Sequence, residues 1–236
     1  MISRATSRTG AQSGSGSALS RESVIDRALT VADQEGPAAV SIRRIAQDFD
    51  VTPMALYWHV KNKDELLAAM GDRILDLVEV PELPTEGGLE RLRPLLTGLV
   101  DALDRHPGST ELVRARVLHS ASGQRLAEQA LTVLAEAGFD RQRSADLARA
   151  ALQSVVMLVA GAPGAEPDVP LEDRQAMREQ KRAALAALPP DRFPHLVDCA
   201  RALTECEDPD AYYASGIELF LAGATALAGR LTAATA

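Results

Sequence analysis

The sequence predicts an all-α protein, and three features indicate this class. Apolar residues recur at the spacing of amphipathic helices along most of the 236 residues. Helix start and stop residues such as Ser, Asn, Gly and Pro separate these stretches. No alternating or Val/Ile-rich run of strand length interrupts them. Because the composition changes near residue 80, we expect a three-helix unit over residues 20–79 and a larger helical bundle over residues 80–236.

Residues 1–19 are rich in Ser, Gly, Thr and Arg, and we expect them to form a disordered arm. No apolar core follows Arg4, which argues against a secretory signal. Cys199 and Cys206 lie seven apart on one predicted helix, where a rise of about 10.5 Å prevents a disulfide. Free thiols without a secretory signal predict a cytoplasmic protein.

The first two helices follow from apolar spacing and capping residues. An apolar set over residues 20–35 predicts the first helix, and Gly36 and Pro37 end it. Ser41 is a candidate N-cap for the second helix. The positions of the second helix that we expect to face inward are Ile42, Ile45, Ala46 and Phe49.

The third helix is predicted to begin at Thr52 and Pro53. The Thr52 hydroxyl can accept from an orphan amide, and Pro53 fixes φ at the first helical position. We expect two turns, to about residue 60. Asn62, with Glu65 three residues later, predicts the start of a further helix. Two short helices joined by a tight turn are typical of a helix-turn-helix DNA-binding motif.

The predicted third helix is unusual in composition, because three of the eight aromatic residues of the chain lie within ten positions: Phe49, Tyr57 and Trp58. Leu56 and Val60 can face inward, which places outward or at the rim Pro53, Met54, Ala55, Tyr57 and His59. An exposed helix of this kind needs a partner surface, and a major groove offers thymine methyl groups and phosphates. Alternatively, Tyr57 and Trp58 close a small three-helix core.

Charge is unevenly distributed along the chain. The net charge is −8, whereas nonspecific nucleic-acid binders are usually basic. Residues 38–63 nevertheless carry a net +2, from Arg43, Arg44, Lys61 and Lys63 against Asp48 and Asp50. We therefore expect specific contacts to dominate DNA binding, with a shallow dependence on salt.

The run LYWHVKNKDELL, preceded by SIRRIAQDFDV, resembles the DNA-binding domain of the TetR family of bacterial transcriptional repressors, and especially its tetracycline repressor branch. The resemblance is specific over about residues 20–77 and weak in the C-terminal region. It implies a homodimer that binds a palindromic double-stranded DNA operator and leaves it when a small-molecule effector binds. Residues 20–79 would then be the DNA-binding domain and residues 80–236 the ligand-binding and dimerisation domain.

The resemblance also implies roles for single residues. Arg43 would reach a base, and base edges would meet Pro53, Met54 and Ala55. The DNA backbone would be held by Tyr57, His59 and Lys63. Thr52 would begin the recognition helix and Trp58 would help to fix it. Arms in this family sometimes touch the minor groove, so Arg4, Arg8 and Arg21 either do so or belong to a plain tail.

The sequence departs from the family pattern at several positions. Asp50 stands where the turn usually has glycine, so we expect it in a left-handed or bridging conformation, which Asp tolerates better than most residues. Because Ile42, Met54 and Ala55 also differ, the operator sequence does not carry over. Val78 and Glu79 stand where the tetracycline branch has a ligand histidine. We therefore do not predict tetracycline as the effector.

In the C-terminal region, helices are predicted at residues 89–106, 109–118, 120–137, 140–162, 171–187, 191–206 and 209–233, with Pro94 starting or kinking the first. The stretch 150–161 is apolar nearly all round, and the stretch 216–229 pairs large apolar residues with small ones, so we expect both to be covered. Both are too short to span a membrane. They are either buried within one domain or form a four-helix seam with a second copy, and we predict a homodimer.

One predicted helix, about residues 62–79, is shared by the apolar bundle and the DNA-binding unit. This arrangement predicts a ligand sensor, in which ligand binding changes the orientation of the shared helix. The composition of the bundle favours a mostly hydrophobic effector. His119, Gln153 and Met157 are candidate pocket residues, although each could be an ordinary core or rim residue.

Catalytic and metal motifs are missing from the sequence, which has no phosphate loop, nucleophile elbow or paired-histidine metal motif. We therefore predict no enzymatic activity, cofactor or metal. Two alternatives stay open: an all-helical enzyme or small-molecule-binding protein with a structural N-terminal bundle, and an adaptor whose Tyr57 patch binds a protein helix.

Overall fold

The structure, a computed structural model, describes residues 19–79, 82 and 84–235. Within these ranges the chain consists of α-helices and short 3-10 turns without β-strands, which confirms the predicted all-α class. The predicted arm with Arg4 and Arg8 lies outside the described residues, apart from Leu19. Among the described residues, no helix is long and apolar enough to cross a membrane.

The N-terminal part contains four helices, the last of which leads into the C-terminal part. They are α1 (Arg21–Glu35), α2 (Ile42–Asp48), α3 (Pro53–Leu56) and α4 (Lys63–Asp76). The apolar positions predicted for α1 and α2 are largely buried, and they share one core with the apolar residues of α4 and with Leu56 and Val60. The burial of these residues explains why such short helices are stable, since α2 and α3 alone are far below the length of a stable isolated helix.

Capping side chains fix where three of these helices begin. The Ser20 hydroxyl accepts from the Ser23 amide at 3.1 Å, and the predicted cap Ser41 accepts from the Arg44 amide at 3.1 Å. Asn62 accepts from the Glu65 amide at 2.8 Å, which confirms the predicted start of α4. Each cap satisfies one of the orphan amides of a first helical turn.

The C-terminal part follows the predicted series of helices closely. They are α5 (Leu92–Asp104), α6 (Thr110–Arg116), α7 (Ala121–Glu136), α8 (Arg141–Ala160), α9 (Arg174–Ala186), α10 (Pro194–Asp198) and α11 (Pro209–Thr235). Pro94 lies in the first turn of α5, where its missing amide breaks no helical hydrogen bond.

The predicted helix over residues 191–206 is wrong. Only α10 is helical there, and turns follow it to residue 204. Leu196 and Leu203 are largely exposed, so this segment buries too little apolar surface to hold a long helix. Cys199 and Cys206 therefore do not share a helix, and both are free thiols.

One apolar core runs through both parts of the described chain. Helix α4 packs against α1 on the N-terminal side and against α6 and α7 on the C-terminal side. Helices α5, α7 and α11 pack around α8. Movement of α6 or α7 would therefore reach the N-terminal part through α4.

Candidate nucleic-acid interface and effector cavity

A tight turn sets the position of α3 relative to α2. Asp50 has φ 54°, which is the left-handed one of the two conformations expected at this position. Its amide donates to the Gln47 carbonyl at 3.2 Å, and the Val51 amide donates to the Ala46 carbonyl at 3.0 Å. The turn thus closes α2 and redirects the chain into α3 within the four residues 49–52.

Helix α3 is shorter than predicted. It ends at Leu56 after one turn, and residues 57–59 continue as a hydrogen-bonded turn. The predicted Thr52 hydroxyl cap is also wrong, because its side chain makes no capping hydrogen bond. The Thr52 carbonyl instead accepts from the Ala55 amide at 2.9 Å. With Pro53 fixing φ, this bond closes the turn without the hydroxyl.

The segment presents two opposite faces. Leu56 and Val60 are fully buried, as predicted. Large apolar side chains stand outward on the other face: Met54 is 69% exposed, Tyr57 46% and Trp58 88%. We call Met54, Tyr57 and Trp58 the α3 surface.

The exposure of Trp58 decides between the alternatives open for this residue. A side chain that is 88% exposed neither closes the three-helix core nor braces the helix from within, so the predicted bracing role of Trp58 is wrong. Leu56 fills the core position instead. Tyr57 also stands outward, while Thr52 and Pro53 are exposed and Ala55 and His59 are half-buried.

Cationic side chains flank the α3 surface. Arg43, Lys61 and Lys63 are exposed, and in the described part of the chain their side chains form no ion pair or hydrogen bond. Arg44 differs, because its guanidinium lies between Glu35 and Asp48. Burial raises the pKa of Asp48, but hydrogen bonds from Arg27 and Arg44 outweigh it and lower the pKa overall. Three of the four cations predicted for this region are therefore free to meet phosphates.

The side chain of Arg21 in α1 holds the α3 segment next to α4 through hydrogen bonds, a role that the sequence did not reveal. Its Nη1 donates to the His59 carbonyl at 2.5 Å and to Glu65 Oε1 at 2.9 Å. Glu65 also accepts from the Lys61 amide at 2.9 Å, and this backbone hydrogen bond, with that from Arg21, lowers the pKa of Glu65. The placement of Arg21 corrects its predicted assignment to a DNA-contacting arm or plain tail.

An apolar cavity of about 400 Å³ lies within the C-terminal part. Its wall is formed by leucine, alanine, valine and phenylalanine side chains from α5, α7, α8 and α11 and the end of α6. The apolar lining residues are Leu92, Leu95, Leu96, Leu99, Val117, Leu118, Leu126, Ala127, Ala130, Leu131, Leu134, Ala145, Ala148, Ala151, Leu152 and Phe220. Arg114, Arg149 and Gln153 complete the lining. The volume and the apolar wall suit a small organic molecule.

The three candidate pocket residues are not brought together. Gln153 lines this cavity. Met157 instead lines a second cavity of about 410 Å³ between α4, α6 and the end of α8, together with Lys63. His119 is exposed beyond the end of α6 and lines neither cavity. Gln153 and Met157 thus line different cavities, and their role in effector binding stays a prediction.

Two family profiles match the sequence. That of the bacterial regulatory proteins of the tetR family matches residues 24–70. That of the tetracyclin repressor-like C-terminal domain matches residues 80–228, more than half of the chain. The chain belongs to the TetR family. The resemblance predicted from residues 20–77 is confirmed, and it extends through the C-terminal region, where the sequence motifs alone were weak.

Individual relatives agree with this membership. An HTH-type transcriptional regulator of Saccharopolyspora erythraea is 27% identical over 217 residues, which cover 89% of this chain and 86% of the relative. The class D tetracycline repressor protein of Escherichia coli is 42% identical over 69 residues, or 29% of this chain and 32% of the repressor. The Streptomyces coelicolor TetR-family protein ActR in complex with actinorhodin is 28% identical with a TM-score of 0.67, covering 89% of this chain and 99% of ActR.

Membership in the TetR family makes the chain a DNA-binding transcriptional regulator and not an enzyme, as predicted. The helix-turn-helix pair α2 and α3 is the element of such a regulator that meets DNA. The same membership decides against the alternative in which the N-terminal bundle is merely structural.

Polar contacts connect the N-terminal helices of this TetR-family chain to its C-terminal part. Arg116 of α6 donates from Nε to Asp72 Oδ1 at 2.7 Å and from Nη2 to Asp72 Oδ2 at 3.0 Å. Ser122 of α7 donates to Asp76 at 2.6 Å. A bidentate arginine contact fixes direction as well as distance. The position of α4 therefore depends on both α6 and α7.

Proposed function

We propose that the chain binds a palindromic double-stranded DNA operator as a homodimer and is released by a small, mostly apolar effector. Residues 20–79 would bind DNA, and residues 80–236 would bind the effector and the second copy. As a regulator of bacterial genes, the protein would act in the cytoplasm. The observation that carries the proposal is the outward orientation of the α3 surface beside three free cations.

The chemistry of this surface suits a major groove. Met54, with the neighbouring Pro53 and Ala55, offers apolar contacts to thymine methyl groups, and Arg43 offers the bidentate donors that guanine accepts. Tyr57, His59 and Lys63 offer donors for phosphate oxygens, which fix the protein on the duplex without reading sequence. Trp58 belongs to the same exposed α3 surface, and the exposed Thr52 precedes it, so both would also contact the duplex.

A second copy is proposed to cover an exposed stripe on α11. Leu219 is 77% exposed, and the small residues Ala222, Gly223 and Ala226 continue the same helical face. A Cβ at Gly223 would meet open space, so neighbouring helices of the same chain do not fill this side. A contiguous exposed apolar stripe favours an interface. A twofold dimer would set two recognition helices about 34 Å apart, or a multiple of that distance, along the groove.

Release would follow from movement of α4. The cavity wall includes residues of α5, α7 and α8, and α7 also holds Asp76 of α4 through Ser122. An effector that spreads α7 from α8 would therefore tilt α4 and change the spacing of the two recognition helices. A typical coupling of about 1–3 kcal/mol corresponds to a change in operator affinity of about 5- to 150-fold. ActR, to which the chain is similar, has a structure in complex with actinorhodin.

An electrophoretic mobility shift with the intergenic DNA beside the protein's own gene tests the proposal. We expect Tyr57→Ala and Lys63→Ala each to weaken binding with the fold retained in circular dichroism. Lys181→Ala is the matched control, because this lysine pairs with Glu166 in the C-terminal part. Undiminished binding by both Tyr57→Ala and Lys63→Ala would contradict the assignment of the DNA site.

A further inference from the structure

The polar residues that line the cavity are either positively charged or neutral. Two of its three polar residues are arginines, Arg114 and Arg149, and no acidic residue lines the cavity in the described part of the chain. Arg149 and Gln153 are four residues apart on α8, so they share one helical face. Arg114 approaches from α6, which packs against α8. The cavity thus combines an apolar wall with cationic and amide donors contributed by two adjacent helices.

Both guanidinium groups keep donors available. Arg114 uses its Nε to donate to Glu111 at 3.1 Å, and no hydrogen bond of its terminal nitrogens occurs within the described residues. Arg149 Nη1 lies 3.7 Å from Asp146 Oδ1, beyond hydrogen-bonding distance. All four side chains of these two pairs are more than half exposed. Such solvent-exposed ion pairs contribute little to the stability of the protein, so either arginine can bind a ligand without a large loss of stability.

Both arginines line the cavity and are more than half exposed, so we expect their charge to lie where the cavity meets water. A long arginine side chain can cover apolar surface with its methylene groups while the guanidinium stays near water. An anionic group bound there would keep part of its hydration, whereas an anion deep among leucine side chains would lose it at high cost. The arrangement therefore favours a molecule with its apolar body inside and its charge at the opening.

We infer that the effector is an amphipathic anion: an apolar body that carries one carboxylate or comparable oxygen anion bound by Arg114 and Arg149. The inference rests on the proposed function, because it specifies the effector of the same cavity. Guanidinium groups suit this ligand class, since their fork of donors matches the two oxygens of a carboxylate.

A pair of probes of nearly equal shape tests the inference with the full-length protein. Anthracene-2-carboxylate and anthracene-2-carboxamide differ in charge, and both can be followed by their fluorescence. At neutral pH and low salt we expect the carboxylate to bind about tenfold more tightly than the carboxamide. This preference should weaken as salt is added, because the arginines are exposed.

Variants locate the preference. In the double variant Arg114→Gln, Arg149→Gln the preference should fall below about twofold, because the neutral amides cannot form ion pairs. Binding of the carboxamide by the same variant shows that the cavity is intact. Arg141→Gln is the control, since Arg141 is an exposed arginine of α8 that does not line the cavity. It should keep the full preference.

Three results would overturn the inference: equal binding of the two probes by the unmodified protein, a preference that survives in the double variant, or no binding of either probe. A mobility shift with operator DNA on the same preparation separates this failure from that of the proposed function. A charge-independent cavity in a protein that binds its operator refutes only the anion inference. An anion-selective cavity in a protein that binds no operator refutes the proposed regulatory role.

Discussion

Replacing Trp58 with alanine separates DNA recognition from folding. Trp58 is 88% exposed, so its removal leaves the core untouched and should change the free energy of unfolding by less than about 0.5 kcal/mol. The neighbouring Leu56 is fully buried, and Leu56→Ala should destabilise the protein by about 2–5 kcal/mol. Two nearly adjacent substitutions are therefore expected to act on different properties.

The expected loss of DNA affinity follows from the area that the duplex would cover. A large aromatic side chain buries about 150–250 Å² when fully covered. If DNA covers about one third of Trp58, roughly 65 Å² leaves water, which at ~25 cal/mol/Å² corresponds to about 1.6 kcal/mol, or about 15-fold in affinity. The duplex contact thus outweighs the folding contribution of this side chain.

Urea unfolding and operator titration of the two variants provide the measurement. We expect Trp58→Ala to keep the unfolding midpoint and lose operator affinity, and Leu56→Ala to lower the midpoint. The reasoning is refuted if Trp58→Ala unfolds as easily as Leu56→Ala, or if it binds the operator as tightly as the unmodified protein.

Three further predictions concern the elements that hold α3. Arg21→Gln removes the hydrogen bonds to the His59 carbonyl and Glu65. Because the pair is exposed, the urea unfolding midpoint should change little, whereas operator binding measured by mobility shift should weaken. Unchanged operator binding would contradict a role of Arg21 in holding the α3 segment. Asp50→Val should lower the free energy of unfolding in urea by about 1–2 kcal/mol, because φ is positive at this position. Asp50→Gly should be tolerated, and equal effects of the two substitutions would be inconsistent with a conformational cause. The pKa of Glu65 is lowered from an ordinary 4.5, so the unfolded chain binds the proton of this carboxyl more readily than the folded protein does. The stabilising contribution of the carboxylate is therefore present above about pH 4.5 and lost as the pH falls through the folded pKa. Thermal melts of Glu65→Gln should approach those of the unmodified protein at low pH, and a constant difference at all pH values would argue against this linkage.

Much of the N-terminal part could be predicted because its signals are local. Ser41 and Asn62 are caps whose hydrogen bonds span three residues, and Asp50 occupies a conformation that few residue types tolerate. Inward-facing Leu56 and Val60 follow from their spacing of four. In contrast, the end of α3 is followed by a turn at residues 57–59 whose His59 carbonyl accepts a hydrogen bond from Arg21. This contact joins residues 38 positions apart, so local sequence signals do not reveal it.

The proposed effector site was less accessible to sequence reasoning, because the wall of this cavity gathers side chains from several helices. Gln153 lines this cavity, whereas Met157 lines a second one and His119 lines neither. Arg114 and Arg149 resemble ordinary surface residues in the sequence, and only the packing of α6 against α8 brings them to one cavity.

The single tryptophan of the chain allows the most direct test of the central claim, that the outward face of α3 meets DNA. Trp58 fluorescence can be quenched by acrylamide in the free protein, because the side chain is exposed. We predict that saturating operator protects Trp58 from the quencher and that an effector which releases the operator restores access. Full access to Trp58 while a mobility shift shows the operator bound would contradict the account.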